Sequence, residues 1–144
     1  MARVDYAGIA DAIRARVAAQ IPQAVVTVER DVLMGFERTP WVNVRAVRRE
    51  TTAPQPIAAG TRTRFRVHYV CECWESGLGS AADVARRRDD LLGQVEVALM
   101  GDRTLGGKVD FLFLEGGEFF TGQEGDHLFI GGEVVVAVEV EATT

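Results

Sequence analysis

The sequence is poor in the residues that most often do chemistry, with two histidines, two cysteines and two serines among 144 residues. Nucleophilic catalysis needs a serine or cysteine beside a histidine that an acid orients, and this inventory leaves few such combinations. The 21 acidic residues would still allow a paired-carboxylate hydrolase. Those near the C-terminus, however, alternate with valines, as on the solvated face of a strand. We therefore expect no catalytic centre.

The cysteines and histidines also form no evident metal site. Cys71 and Cys73 are two residues apart and share one side of a predicted strand, whereas His68 lies on the other side. The second histidine, His127, is remote in sequence. A disulfide between Cys71 and Cys73 would close a very small ring against an extended backbone. We expect two reduced, buried thiols and neither a metal nor another cofactor.

An excess of positive charge and long apolar runs are absent as well. The 16 basic and 21 acidic residues give a net charge of -5, so phosphate backbones and anionic lipids are not generally attracted. Transient passage of DNA past an acidic wall is compatible with this charge. No apolar stretch approaches the ~20 residues that span a bilayer, and the N-terminal stretch MARVDYAGIADAIRARV lacks the apolar core of a signal peptide. We expect a protein of cytoplasmic origin that does not enter a membrane.

Length and composition predict one globular domain over residues 1–144, since 47% of the residues are apolar and 26% charged. Hydrophobic periodicity predicts helices over 5–20, with Asp5 as N-cap, and over 80–100, where Ser80 and Asp83 resemble a capping box. Alternation and β-branched residues predict strands at 25–29, 41–48, 62–74, 109–115 and 128–140. The sequence thus favours an α/β fold of the α+β kind. A mixed, mostly antiparallel sheet of about five strands is flanked by two helices in the order α-β-β-β-α-β-β.

The third predicted strand alternates most clearly. One face carries mostly apolar side chains and both thiols: Thr63, Phe65, Val67, Tyr69, Cys71 and Cys73. The other face is mostly polar: Arg62, Arg64, Arg66, His68, Glu72 and Trp74. Such a strand has one buried face and one face open to water or a partner. Val70 and Trp74 on the polar side indicate partial cover there.

Two glycine-rich stretches are similar to nucleotide-binding motifs. Gly77-Leu78-Gly79-Ser80-Ala81-Ala82 has the GxGxxA spacing of a dinucleotide fingerprint, but the strand before it is amphipathic, whereas a Rossmann first strand is buried on both faces. GDRTLGGK at 101–108 has the wrong spacing for a phosphate loop, and Val109 stands where Ser or Thr would bind magnesium. We interpret both stretches as turns.

The layout of the whole chain resembles the tail terminator proteins, also called tail-completion or minor tail proteins, of long-tailed phages, prophages and gene transfer agents. The similarity lies in an N-terminal helix of the type IADAIRARVAAQIP, an amphipathic strand FRVHYVCECW leading into a long helix, the stretch LMGDRTLGGKVDFLFLE and a closing valine-rich strand. It covers nearly the full chain and rests on layout and loose local similarity.

The resemblance implies a structural virion protein that is assembled in the host cytoplasm and becomes part of the tail. Six copies would form a homo-hexameric ring on the last ring of tail tube protein, stop its polymerisation and present a surface to the head-tail connector or stopper protein. DNA would pass through the lumen only in transit.

Within that interpretation, the polar faces and loops are the expected contact surfaces. The loops at 51–60, with Pro54 and Pro56, and at 116–127, with Phe119 and Phe120, are candidate docking or lumen segments. Trp74 is a further candidate. Six arginines on the third strand and second helix are expected to pair with acids of neighbouring subunits: Arg62, Arg64, Arg66, Arg86, Arg87 and Arg88. The alternative is that they are ordinary solvent-exposed residues without a partner subunit.

Two other functions stay open at this point. One is a different head-to-tail joining protein, such as a stopper or neck component. The other is a small-molecule-binding α/β module or minor enzyme that uses the turn at Gly77–Ala82.

Overall fold

The computed structural model describes residues 3–30, 39–51, 62–77, 80–124 and 127–143. Within them, two helices and a mostly antiparallel sheet confirm the predicted α+β class. The elements are α1 (Tyr6–Gln20), β1 (Val25–Val28), β2 (Trp41–Thr51), β3 (Arg62–Gly77), α2 (Ala81–Met100), β4 (Phe111–Leu114), β5 (Phe119–Glu124) and β6 (His127–Thr143).

The strands form one sheet in the order β1-β2-β3-β6-β4, with β5 also paired to β6. β1 runs parallel to β2, and the other pairs are antiparallel. The central pair is β3 with β6, which stay in register from Arg62 opposite Thr143 to Gly77 opposite Leu128. The long amphipathic strands therefore lie in the middle of the sheet, with short strands at its margins.

The sheet has six strands rather than about five, because residues 119–124, predicted to be loop, form β5. β4 and β5 lie along the same edge of β6, and the residues between them stay attached to it. Glu115 N donates to Val135 O at 2.9 Å, and Val135 N donates to Gly116 O at 2.7 Å. Gly116 has φ +82°, a conformation that residues with a side chain rarely adopt. The glycines thus mark a kink in one edge strand that the sequence pattern presents as a loop.

Both helices pack on the same face of the sheet and cover the main core. Their buried stripes, which include Ile13 and Val17 of α1 and Val95 and Leu99 of α2, meet the apolar face of the central strands. Tyr69 is fully buried there and donates its hydroxyl to Tyr6 O at 2.9 Å. The predicted apolar face of the third strand is confirmed from Val67 to Cys73, and the cysteines are free and buried.

The helix starts are close to those predicted. Asp5 caps α1 by accepting from Gly8 N at 3.0 Å, and Ser80 caps α2 by accepting from Ala82 N at 3.2 Å. The predicted capping box differs in one detail, since the Asp83 carboxylate contacts Arg86. No helix within the described ranges is long and apolar enough to cross a membrane.

Candidate assembly surfaces

The face of the sheet opposite the helices, called here the outer face, is less open than its sequence pattern suggests. His68, Val70, Glu72 and Trp74 are each less than 9% exposed. The expectation that this face of the third strand is open to water or a partner is therefore wrong at this end, while the predicted cover at Val70 and Trp74 is confirmed. Burial of a carboxylate and an imidazole requires partners, because unpaired buried polar groups are costly.

Asn43 organises the buried polar groups at this end. Its Oδ1 accepts from Thr27 Oγ1 at 2.8 Å and from Arg30 N at 3.0 Å, and its Nδ2 donates to Arg30 O at 2.8 Å and to Glu72 Oε1 at 3.1 Å. The amide thus makes four hydrogen bonds while fully buried. Arg45 Nε lies 3.1 Å from the same Glu72 oxygen, so the carboxylate has a counter-charge.

Trp74, proposed above as a partner contact, instead packs inside the chain. It is 6% exposed and forms a second apolar cluster with Trp41 and Phe129, against which Phe120 packs with its ring centroid 4.4 Å from that of Trp74. Large aromatic side chains stabilise mainly through the area they bury. Trp74 is thus part of a small core on the outer face, and Phe120 is one of its supports.

Ion pairs within the chain cover the other end of the outer face. The Arg64 guanidinium lies 3.2 Å from the Asp110 carboxylate, and 3.7 and 3.9 Å from those of Glu139 and Glu141 on β6. Arg66 donates to Glu139 at 2.9 Å. His68 Nε2 lies 2.7 Å from Glu115 Oε1. Because β6 presents acids directly opposite these arginines, the charges are balanced across the strand pair.

The three consecutive arginines of α2 also have partners in the chain. Arg86 contacts Asp83 at 3.1 Å, and Arg87 donates to Ser76 O at 3.0 Å. Arg88 contacts Asp89 at 2.9 Å, and its guanidinium lies 4.4 Å from the centroid of the Phe119 ring. These contacts tie the first half of α2 to the end of β3 and to β5.

The arginines chosen from the sequence as contact residues thus find acids or carbonyls of their own chain. Pairing with a neighbouring subunit is not needed to balance Arg64, Arg66, Arg86, Arg87 or Arg88. Of the other selected residues, Pro54 and Pro56 and the side chain of Arg62 lie outside the described part of the chain.

The most exposed apolar side chains lie on a surface that the sequence did not single out, apart from Phe119. Within the described ranges, four of the five large hydrophobic residues with high exposure line the flank formed by α2 and the β4–β5 edge: Val97 at 61%, Met100 at 45%, Phe111 at 42% and Phe119 at 69%. We call this surface the α2–β4/β5 flank. Several large apolar side chains exposed on one side of a protein typically mark an interaction site.

Two adjoining clefts run along this flank. One, of about 400 Å³, is lined by Val97, Met100 and Phe113, with Glu96 at its rim. The other, of about 220 Å³, continues from Glu96 to Phe119. The flank is therefore grooved rather than flat.

The fifth exposed apolar residue, Val47, is 46% exposed. It lies on β2, which β3 and β6 separate from the β4–β5 edge. It falls where the β2–β3 register shifts between Ala46 and Arg48, as at a β-bulge. Arginines surround it in the segment RAVRR at 45–49, whose side chains from residue 46 onward are exposed. Sequence alternation gave no signal for this site, because a bulge interrupts the period of two.

Burial changes the acid–base behaviour of several groups. It raises the pKa of the Cys71 thiol to about 12 and that of Cys73 well above its ordinary value. Desolvation likewise raises the pKa of Tyr69 and of Glu75, in the latter against the opposing charge of Arg87. These thiols are protonated at neutral pH and poor nucleophiles.

At Gly77, the first glycine of the predicted turn after β3, the nearby space is taken by another side chain of the chain. The Arg87 guanidinium lies 2.6 Å from the position that a Cβ would take on Gly77, and Leu78 and Gly79 lie outside the described residues. A cleft of about 800 Å³ lies elsewhere, between the start of α1 and the strand ends at Arg49 and Phe65. Among the described residues, no group of three or more His, Cys, Asp or Glu side chains could hold a metal ion.

Comparison with known proteins adds no relative. No protein-family model matches the chain, and no curated protein matches it significantly.

Proposed function

We propose that this chain is the protomer of a ring that ends the tail tube of a long-tailed phage or related particle. The ring stops polymerisation of the tube protein and offers a joining surface to the head-side connector. The proposal starts from the resemblance in layout to tail terminator proteins. The helix 6–20, the amphipathic strand leading into helix 81–100, and the valine-rich last strand are the elements on which that resemblance rests.

The observation that carries the proposal is the exposed α2–β4/β5 flank. A protein of this size rarely leaves several large apolar side chains exposed on one side unless another protein covers them. Val97 and Phe119 are more than half exposed, and the clefts beside them can accept side chains of a partner. A structural protomer requires such contact surfaces and no reaction centre.

The electrostatics are compatible with DNA in transit. The net charge of -5 gives no general attraction to phosphate, so DNA is not held as it passes through a lumen. In this proposal the tail of the virion is the final location of the protein, after assembly in the host cytoplasm.

The test is a tube-growth assay with purified tail tube protein encoded beside this gene. We expect this chain to bind tube ends as a ring of six copies and to stop elongation at substoichiometric amounts, with tube length measured by negative-stain electron microscopy. Unchanged tube growth, with no added density at the ends, would contradict the proposal. Binding to the connector alone, without an effect on tube length, would instead favour the stopper or neck alternative.

A further inference from the structure

We propose that neighbouring copies of this chain join head-to-tail, with the Val47 segment of one protomer seated on the α2–β4/β5 flank of the next. The Val47 segment comprises residues 45–49. The inference deepens the proposed function and rests on it in one respect, since it assumes that copies of the chain associate.

The Val47 segment has the properties of an inserting element. Val47 is a single exposed apolar side chain at the bulge of β2, 46% exposed. Arg45 and Arg48 accompany it, with side chains 42% and 65% exposed although each is near an acid of its own chain. Arg49 instead donates to the Tyr6 hydroxyl at 2.9 Å. An apolar centre with a charged rim is the composition typical of protein contact surfaces.

The α2–β4/β5 flank offers the complementary surface. Its clefts are lined by apolar side chains, among them Val97 and Met100. Three acids, Glu96, Glu118 and Glu133, and one arginine, Arg103, also line them, so the charge of this lining is negative on balance. Glu96 and Glu118 are exposed. The acids of this flank thus match the arginines of the Val47 segment, and its clefts match the apolar side chain between them.

The two surfaces lie on opposite sides of the sheet. β3 and β6 stand between β2 and the edge formed by β4 and β5, so one molecule cannot bring its own two surfaces together. Contact between unlike surfaces is heterologous, and its repetition gives a ring when the rotation closes. A symmetric pair would instead place arginine against arginine or glutamate against glutamate.

Side chains rather than a continued sheet make this contact. The Ala46 N–H, at the free side of β2, already donates to the Glu29 carboxylate at 2.7 Å. Bulges and charged residues on an edge strand generally prevent strand addition. The junction is therefore an apolar side chain entering a cleft, with ion pairs around it.

The experiment uses two variants that each block one surface. Val47→Glu places a negative charge against the acidic flank, and Val97→Lys places a positive charge against the arginines. Both residues are exposed, so folding is retained. Ala15→Glu and Ala15→Lys, on the exposed face of α1, are the matched controls. We expect each blocking variant to lower the association constant about a hundredfold or more, since like charges meet at the contact.

Mixing the two variants is the decisive step, with mass measured by light scattering and native mass spectrometry. Each variant alone is expected to be monomeric, while the mixture associates through its intact junction, between the Val47 segment of the Val97→Lys protein and the flank of the Val47→Glu protein. The second junction sets the introduced glutamate against the introduced lysine, so alternating assemblies with equal numbers of the two variants also support the inference. The controls and the wild type form the ring. Rings of unchanged mass from either variant, or no association in the mixture, would overturn the inference.

The outcomes separate this inference from the proposed function. If both variants form rings and cap tubes, the junction lies elsewhere and the proposed function stands. At a protein concentration of ~1 mM, association with a binding free energy of about 4 kcal/mol would produce detectable oligomers. A wild type that stays monomeric up to that concentration would refute the junction. The tube-growth assay then decides the proposed function independently.

Discussion

Replacing Asn43 with aspartate would test the buried polar cluster of the outer face, because the substitution keeps the shape of the side chain. The Nδ2 group donates to Arg30 O at 2.8 Å and to Glu72 Oε1 at 3.1 Å. A carboxylate oxygen in its place would face two acceptors. Both hydrogen bonds would be lost, and two negative charges would lie about 3 Å apart.

The expected magnitude follows from these two bonds. Loss of a hydrogen bond to a charged acceptor costs about 1.5–3 kcal/mol and of a neutral one about 1 kcal/mol. Repulsion from Glu72 adds to this cost, and protonation of the new carboxyl limits the addition. We expect the free energy of unfolding to fall by about 3–5 kcal/mol at pH 7. For a chain of this length that corresponds to a Tm lower by roughly 10 °C.

The assay is urea unfolding followed by tryptophan fluorescence at several pH values. The nearby carboxylate raises the pKa of the new carboxyl in the folded state above its unfolded value of about 3.9. Between those two values the native state binds more protons than the unfolded state, so the stability of the variant rises relative to wild type as pH falls from 7 towards 4. Adding Glu72→Gln should restore part of the loss, since its amide can donate to the new carboxylate. A loss below about 1 kcal/mol, or one independent of pH, would refute this account of the cluster.

Three further predictions follow from burial. Leu99→Ala, at a fully buried position, should lower the free energy of unfolding by about 2–5 kcal/mol in denaturant titrations, and a change below about 1 kcal/mol would show that the site is not packed as described. Cys71 and Cys73 should react with a thiol reagent at pH 8 only as fast as the chain unfolds, because burial excludes the reagent and raises the pKa values of both thiols. Both thiols should react at once in guanidinium. Rapid reaction of the native protein would contradict this. The raised pKa of Glu75 means that stability is lost as pH rises from its unfolded pKa through its folded pKa. Glu75→Gln should therefore remove that loss in thermal melts between about pH 4 and 7, and a variant that keeps the wild-type pH dependence would exclude Glu75 as its source.

The sequence predicted the helices and the central strands well because each follows a simple period. The apolar stripe of α1 and the alternation from Val67 to Cys73 depend only on which side faces the core. β5 escaped prediction because its glycines and acids are typical of a loop, and its pairing with β6 depends on a partner strand rather than on its own composition.

The candidate surfaces were predicted less well, for a physical reason. Exposure of a residue depends on what packs over it from elsewhere in the chain. The apolar residues on the polar side of the third strand predicted some cover at Trp74, but not that Trp41 and Phe129 of the same chain would supply it. The acids that pair with Arg64 and Arg66, Asp110 and Glu139, are more than forty residues away in sequence, so the pairing could not be predicted from it. Val47 and Val97 were not singled out from the sequence, and the structure shows them exposed.

The central position of β6 has a consequence for synthesis in the cell. β6 follows the other described strands along the chain, yet it joins β3 to β4 and β5. Before residues 127–143 leave the ribosome, β3 has a long unsatisfied edge, and pairings so distant in sequence form slowly. A chain cut short before that point would lack the strand that unites its two halves. Truncated products are thus expected to stay incompletely folded and to be degraded by proteases.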